Sequence, residues 1–498
     1  MPRHTKRANF SSLAICHTWI FHTENVHRSL RPLHKSCPHT FLFQILTVFA
    51  VAFGPFSVGL SKGYSSPALA SLSSNRSTSS ISVSPDEGSW VASLSLLGAL
   101  LGGLLSSVVL RHGRRNCFII ISIPFSLSWW LTVFATTVEM IYLTAFLAGL
   151  CSAVVMLVSQ VYISEISSPS LRGRLSASLK IFSHLGLLSS FLMGAWLDWR
   201  QLALVCAAAP LMLLVTVQYA PETPSYLLYS DQVEKAERSL QWLRGGRADV
   251  SAELATIQIN IAASRQEPIN CKFVLLPKLI KPILITSALM FFNRFSGVVA
   301  FNFYAVTIFS QVFSDINPHL GAVVTAITQL VASCLSGILS DKLGRRPLLV
   351  ISGLVMTLAL SGFGVFALYH DITKTDPNRV EGSLDYIPLI CVLLFEFAFS
   401  TGVSPISWLL LGEVFPLEFR ALGTAVTTAF SYLCAFLGVK TFVDFTKVFG
   451  LYGTFWTYGG ITFIGVLFYL AVVPETREEP LHEMRIKTPR PYRRVSKA

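Results

Sequence analysis

Charge is what this sequence has least of. Asp, Glu, Lys and Arg make up 13% of its 498 residues, against roughly 25% in soluble domains. With 52% hydrophobic residues and a mean hydropathy of +0.58, that shortage excludes a soluble globule. Cysteine is missing where it could be oxidised. All nine cysteines fall in apolar runs or in segments read below as cytoplasmic, so neither a structural disulfide nor a metal site is expected. A cleavable signal peptide is also absent: residues 1–40 are basic and His-rich, and 11–21 is too short and polar for an apolar signal core. No nucleotide-binding loop, metal-ligand spacing or nucleophile–base constellation appears, which sets an enzyme aside. No cofactor is expected.

What is abundant is the long apolar run. Such runs predict membrane spans near 41–61, 89–109, 117–136, 140–163, 175–196 and 201–219. After a polar insert, six more lie near 279–313, 319–340, 348–369, 387–412, 422–444 and 452–473. The chain therefore reads as an all-α membrane protein of twelve transmembrane helices in two pseudo-symmetric six-helix bundles. The expected parts are an N-terminal segment (1–40), a first bundle (41–219), linker helices (220–278), a second bundle (279–473) and a tail (474–498). The linker carries Glu and Lys at helical spacing over 231–238 and reads as amphipathic helices.

An even span count puts both termini on one side, and Lys and Arg choose which. With the termini cytoplasmic, the cytoplasmic segments hold 30 of the 39 Lys and Arg residues and the external segments six, Lys62 among them. Lys180, Arg294 and Lys440 lie within spans. The net charge of +12 is thus a topology signal and needs no nucleic-acid partner. The first external segment, 62–88, carries Asn75-Arg76-Ser77, a glycosylation acceptor on the correct side. Asn9-Phe10-Ser11 matches the same pattern but is cytoplasmic.

The halves repeat. Arg111-His112-Gly113-Arg114-Arg115 follows the second span, and Lys342-Leu343-Gly344-Arg345-Arg346 follows the eighth. Glu165 with Arg172 follows the fourth span, and Glu413 with Arg420 the tenth, each pair with six residues between. Pro221-Glu222-Thr223 closes the sixth span and Pro474-Glu475-Thr476 the twelfth. Short Gly-Arg-Arg turns place guanidiniums at helix ends, within reach of carboxylates and helix C-termini. Arg114, Arg115, Glu165, Arg172, Arg345, Arg346, Glu413 and Arg420 are the candidate cytoplasmic gate. Their ion pairs could hold the halves together on that face and break as the halves rock. The plainer alternative is static anchoring by positive charge.

Residues 291–304, in the seventh span, form the most informative stretch. Asn293-Arg294, Ser296-Gly297 and Asn302 interrupt an otherwise apolar run. A guanidinium inside lipid is costly and should face a polar interior or a pathway. Ser-Gly beside it lets a helix bend or unwind. A kinked structural helix whose Arg merely pairs with a neighbour is the competing reading.

Together these residues resemble the sugar porter family of the major facilitator superfamily, and within it the facilitated trehalose transporters of insects. The similarity runs from about Phe41 to Met484. It rests on Gly63-Tyr64-Ser65-Ser66-Pro67-Ala68-Leu69, Pro221-Glu222-Thr223-Pro224, Trp242-Leu243-Arg244-Gly245 and Phe295-Ser296-Gly297. Asp341-Lys342-Leu343-Gly344-Arg345-Arg346, Trp408, Gly412-Glu413, Thr441-Phe442 and the Pro474-Glu475-Thr476 tail complete it. The resemblance implies two six-helix bundles around a central cavity, alternating access, a sugar or similar polar solute and a plasma-membrane setting. The family usually has two glutamines where Asn293 and Arg294 stand, an asparagine at Val299 and at Gln329, and often a glutamine at Lys180. It usually has arginine at Ala145 and Ser225, and an acid at Leu110. Trp408 keeps an apolar platform for a sugar ring.

Lys180, His184, Asn293, Arg294, Asn302, Gln329, Glu396 and Trp408 are the candidate solute-binding residues. Glu396 and His184 are titratable groups within spans, so protons are a possible coupling ion. A neutralised Glu396 and a hydrogen-bonded His184 would serve equally well as structural groups. The alternatives to a sugar carrier are a proton-coupled carrier of a non-sugar solute and a transporter-like sensor. The short basic tail speaks against the sensor. By helix rise, Arg294 lies ~15 Å and Glu396 ~13 Å below the outer face, so the two are expected to pair, with Lys180 only ~8 Å inside the cytoplasmic end.

Overall fold

A computed structural model describes residues 38–73, 81, 83–168, 171–245, 249–265, 277–313, 317–373, 386–415, 420–473 and 475. The terminal segments expected at 1–40 and 474–498 lie almost wholly outside these residues, and so does Asn75. Among the described residues all regular structure is helical. The first half holds α1 (Pro38–Ser73), α2 (Pro85–Val109), α3 (Arg114–Val133), α4 (Val138–Ile166), α5 (Arg172–Met193) and α6 (Trp199–Thr216). Three short helices follow: α7 (Pro224–Tyr229), α8 (Val233–Leu243) and α9 (Ser251–Arg265). The second half holds α10 (Pro277–Arg294), α11 (Val298–Val312), α12 (Pro318–Leu343), α13 (Arg345–Thr373), α14 (Tyr386–Ala398), α15 (Ser404–Glu413) and α16 (Arg420–Ala471).

Helix starts follow local chemistry. Ser84 caps α2 and exchanges bonds with Glu87, Thr137 caps α4, and Asn317 caps α12 ahead of Pro318. Among the described residues, eleven helical segments are long and apolar enough to cross a membrane. The last of them, 50 residues long, would measure ~75 Å, more than twice a bilayer core. It is two spans. Gly450, at φ 68, breaks the helix, and contacts with α10 and α11 show the chain reversing there. Thr427, Ser431 and Val439 meet Thr286, Arg294 and Tyr304 in rising order. Beyond Gly450, Tyr458 faces Gly297 and Phe468 faces Phe292, in falling order. Twelve spans result. Leu104, Ile123, Leu143, Met212, Leu358, Val365 and Leu467 are exposed on the outside of the bundles, where only lipid can cover them.

One boundary departs from the sequence reading. The first helix does not stop at 61 but runs on to Ser73, with Pro55 and Pro67 inside it. Lys62 is therefore within a span and not in an external loop. Apolar neighbours tolerate the interruption because membrane helices keep Pro and Gly where adjacent helices pack closely. Here Gly59 and Gly186 let α1 and α5 touch through backbone: a Cβ on Gly59 would lie 1.9 Å from the Ser183 carbonyl.

Candidate functional site

At the Arg-rich end, the basic end, the two repeats build the same device twice. Gly113 (φ 98) and Gly344 (φ 90) turn the chain into α3 and α13. A carboxylate from the end of each half then caps the new helix. Glu222 accepts from the Arg114 and Arg115 amides at 2.9 and 3.0 Å, and Glu475 from Arg345 and Arg346 at 3.1 and 3.0 Å. An anion on two free amides at a helix N-terminus is favoured by both hydrogen bonding and the helix dipole. The guanidiniums then point sideways. Arg114 reaches Glu165 at 2.7 Å, and Arg345 reaches Glu413 at 3.5 Å. Both ion pairs lie inside one half, so they do not bridge the halves as the gate reading anticipated. Each ties the third helix of its bundle to the fourth. Arg172 is exposed, and the Arg420 side chain lies outside the described residues. Arg244 pins the linker by an ion pair to Glu253 at 2.6 Å and a bond to the Ile166 carbonyl at 3.2 Å.

Bonds between the halves are found at the opposite end and at mid-depth. Ser66 Oγ accepts from the Val306 amide at 2.9 Å, Lys440 donates to Ser89 at 2.6 Å beneath Trp90, and Lys447 pairs with Asp86. Midway, His184 Nδ1 and Ser333 Oγ are 2.9 Å apart.

Between these levels the candidate solute residues fall into three groups. The seventh span breaks where Ser-Gly stands: α10 ends at Arg294, Gly297 takes φ 90, and α11 begins at Val298. The break frees Arg294 from the helix ladder's geometry. Its Nε donates to Ser431 at 2.8 Å, and its guanidinium sits 5.5 Å over the Trp408 ring. Gln329 forms the second group, its amide donating to Asn302 Oδ1 at 2.8 Å and to Glu396 Oε2 at 3.0 Å. Glu396 is fully buried and its Oε1 has no partner. Lys180, with Lys62, forms the third, on the facing half. Asn293 joins none of them. It is buried and donates to the Val403 carbonyl at 3.3 Å, where α14 passes into a π-helical turn (Phe399–Val403) ahead of Pro405.

Arg294 and Glu396 thus do not pair. Their depths agree, but depth is one coordinate of two. Arg294 turns towards α15 and α16, whereas Glu396 turns towards α12. The sequence reading also missed Lys62, Ser431, and the capping carboxylates Glu222 and Glu475. The capping role had a signal in the sequence: the Pro-Glu-Thr segments recur once per half, as the Gly-Arg-Arg turns do.

The backbone aligns with the inward-open xylose transporter XylE from E. coli at a TM-score of 0.72 and 21% identity, over 88% of this chain and 98% of that one. The backbone is therefore that of the major facilitator fold, two six-helix bundles. Residues 47–487 match the profile of the sugar (and other) transporter family, and the chain belongs to that family. A facilitated trehalose transporter of Apis mellifera ligustica is 34% identical over 93% of this chain and 91% of its own. One from Drosophila simulans is 36% identical over 91% of this chain, which spans 52% of that longer relative.

Proposed function

We propose that this protein carries a sugar or a closely related polar solute across the plasma membrane by alternating access, with both termini cytoplasmic. The carrying observation is the polar strip at mid-depth in a member of this family. Asn302, the half-buried end of the Asn302–Gln329–Glu396 hydrogen-bond chain, can exchange hydrogen bonds with hydroxyls, and Trp408 beside Arg294 offers a ring face. The basic end takes the cytoplasmic side because its Lys and Arg excess follows the positive-inside rule. The clasped far end and the ion pairs held within each half at the basic end support an inward-facing state. In that reading the gate residues stiffen each bundle, and the far-end bonds break when the carrier turns outward. A receptor without flux and a carrier of an unrelated solute draw no support from the family.

Proton coupling is a second question, raised by Glu396. A fully buried carboxylate with one unpartnered oxygen and no cation on it is far costlier charged than neutral. Protonation in the inward state and release in another would link solute to proton. Uptake by oocytes across labelled sugars, polyols and organic anions, with and without a proton gradient, tests both readings. No uptake of any member by a surface-expressed protein would refute carriage, and gradient-independent flux would refute coupling.

A further inference from the structure

Among the described residues, the interior carries cations that have no counter-charge. Lys62 on α1 and Lys180 on α5 lie within spans, and neither side chain makes a hydrogen bond or ion pair among the described residues. Lys62 is exposed and Lys180 half-buried. Arg294 spends only its Nε on a bond, to a neutral hydroxyl, and both Nη groups are left over. Lys62 and Lys180 stand three residues from the Gly59–Ser183 backbone contact between α1 and α5, on Gly59's and Ser183's own helices, and the field of Arg294 reaches both.

Helix rise gives their depths. The closed far end is marked by Ser66 against Val306, and by Pro67 against Gly194. Lys62 is four residues, or ~6 Å, below Ser66; Lys180 is fourteen residues, or ~21 Å, below Gly194. Arg294 is twelve residues below Val306, or ~18 Å if the break at Gly297 is ignored. All three helices rise from the basic end, so their side chains lean towards that end, and Lys62 leans down towards the other two.

Among the described residues, acidic groups do not answer them. Glu396 is fully buried and engaged by Gln329. Asp86 is taken by Lys447 at the far end, and Glu165 and Glu413 by arginines at the basic end. From the packed elements, His184 faces Ser333, and Lys440 is spent on Ser89 and Trp90. Unpartnered charges inside a membrane protein are rare because they are costly, and a cleft of one sign concentrates ions of the other. An Arg fork with both Nη groups free matches a carboxylate or phosphate in two-pronged fashion.

We infer that the solute site is built for an anionic sugar derivative, a carboxylate- or phosphate-bearing sugar, with Arg294 gripping the anionic group and Lys62 and Lys180 supplying the field. The inference rests on the carrier reading above and narrows its solute.

The test uses the purified full chain reconstituted in phosphatidylcholine vesicles at fixed chloride. Uptake of labelled glucose, glucuronate and glucose 6-phosphate is compared, along with the thermal stabilisation each gives in detergent. The anionic sugars should exceed glucose about tenfold or more, and Arg294→Gln should remove most of that ratio while Arg294→Lys keeps part of it. Lys62→Gln and Lys180→Gln each lower the ratio less, and they serve if Arg294→Gln fails to fold. Glucose carried as well as glucuronate, with the ratio unmoved in the variants, overturns the inference and leaves the sugar carrier standing. No transport or stabilisation by any of the three overturns both. A preference that appears only when anionic lipid is added assigns the cations to a lipid headgroup, and the inference falls.

Discussion

An alanine at Gly297 meets two obstacles at once. The backbone there has φ 90, which for a residue with a Cβ costs about 1–2 kcal/mol. The added carbon would also lie 2.7 Å from Tyr458 Cδ2 and 3.0 Å from its Cγ. Tyr458 cannot give way cheaply, since it is 1% exposed and its ring packs on Phe455. Shifting a well-packed ring of this kind costs about 1–3 kcal/mol. Gly297→Ala should therefore lose about 2–5 kcal/mol, read as a clear drop in apparent melting temperature in detergent. The two parts separate in a Tyr458→Leu background. There the clash is relieved, and the same alanine should lose only the backbone share. An unchanged melting temperature in the single variant would mean that the seventh span does not break at Gly297, and the account of how Arg294 is presented would fail with it.

The helix caps should behave as a matched pair: Glu222→Ala and Glu475→Ala each remove an anion from two helix amides, for about 1–2 kcal/mol apiece. Loss at only one of them would show that the repeats are not equivalent. In a double-mutant cycle on melting temperature, Arg294→Gln and Glu396→Gln should be additive within about 0.5 kcal/mol, because the two charges face different helices. A larger coupling would place them together in some populated state. Tags at Met1 and Ala498 should bind antibody only after permeabilisation, and labelling of intact cells at one end would refute twelve spans with cytoplasmic termini.

Hydropathy made most of the fold legible, since a bilayer forces each span to declare itself in some twenty apolar residues. The bend in the seventh span was legible too, because Ser296-Gly297 is one of few ways to interrupt an apolar helix. Lys62 was not. Lys62-Gly63-Tyr64-Ser65-Ser66-Pro67 has the composition of a turn, and only packing against α5 keeps it helical. Arg294 shows a second limit. Counting residues gives depth along a helix, but the face a side chain presents past a break at φ 90 depends on that break. The Gly-Arg-Arg turns show a third: the first arginine of each found an acid as expected, whereas Arg115 turned to Gln218 and Arg346 to the Leu470 carbonyl, and which acid served the backbone and which the guanidinium was a matter of tertiary distance.

The Asp86–Lys447 pair spans the two halves at the far end with side chains 65% and 51% exposed. Exposed pairs of this kind are weak and weaken further as salt rises. The carrier must break this contact once per cycle, whereas its fully enclosed bonds within each half can persist. Ionic strength on that face thus acts as a throttle on turnover: raising it should hasten the outward turn, without altering what the site selects.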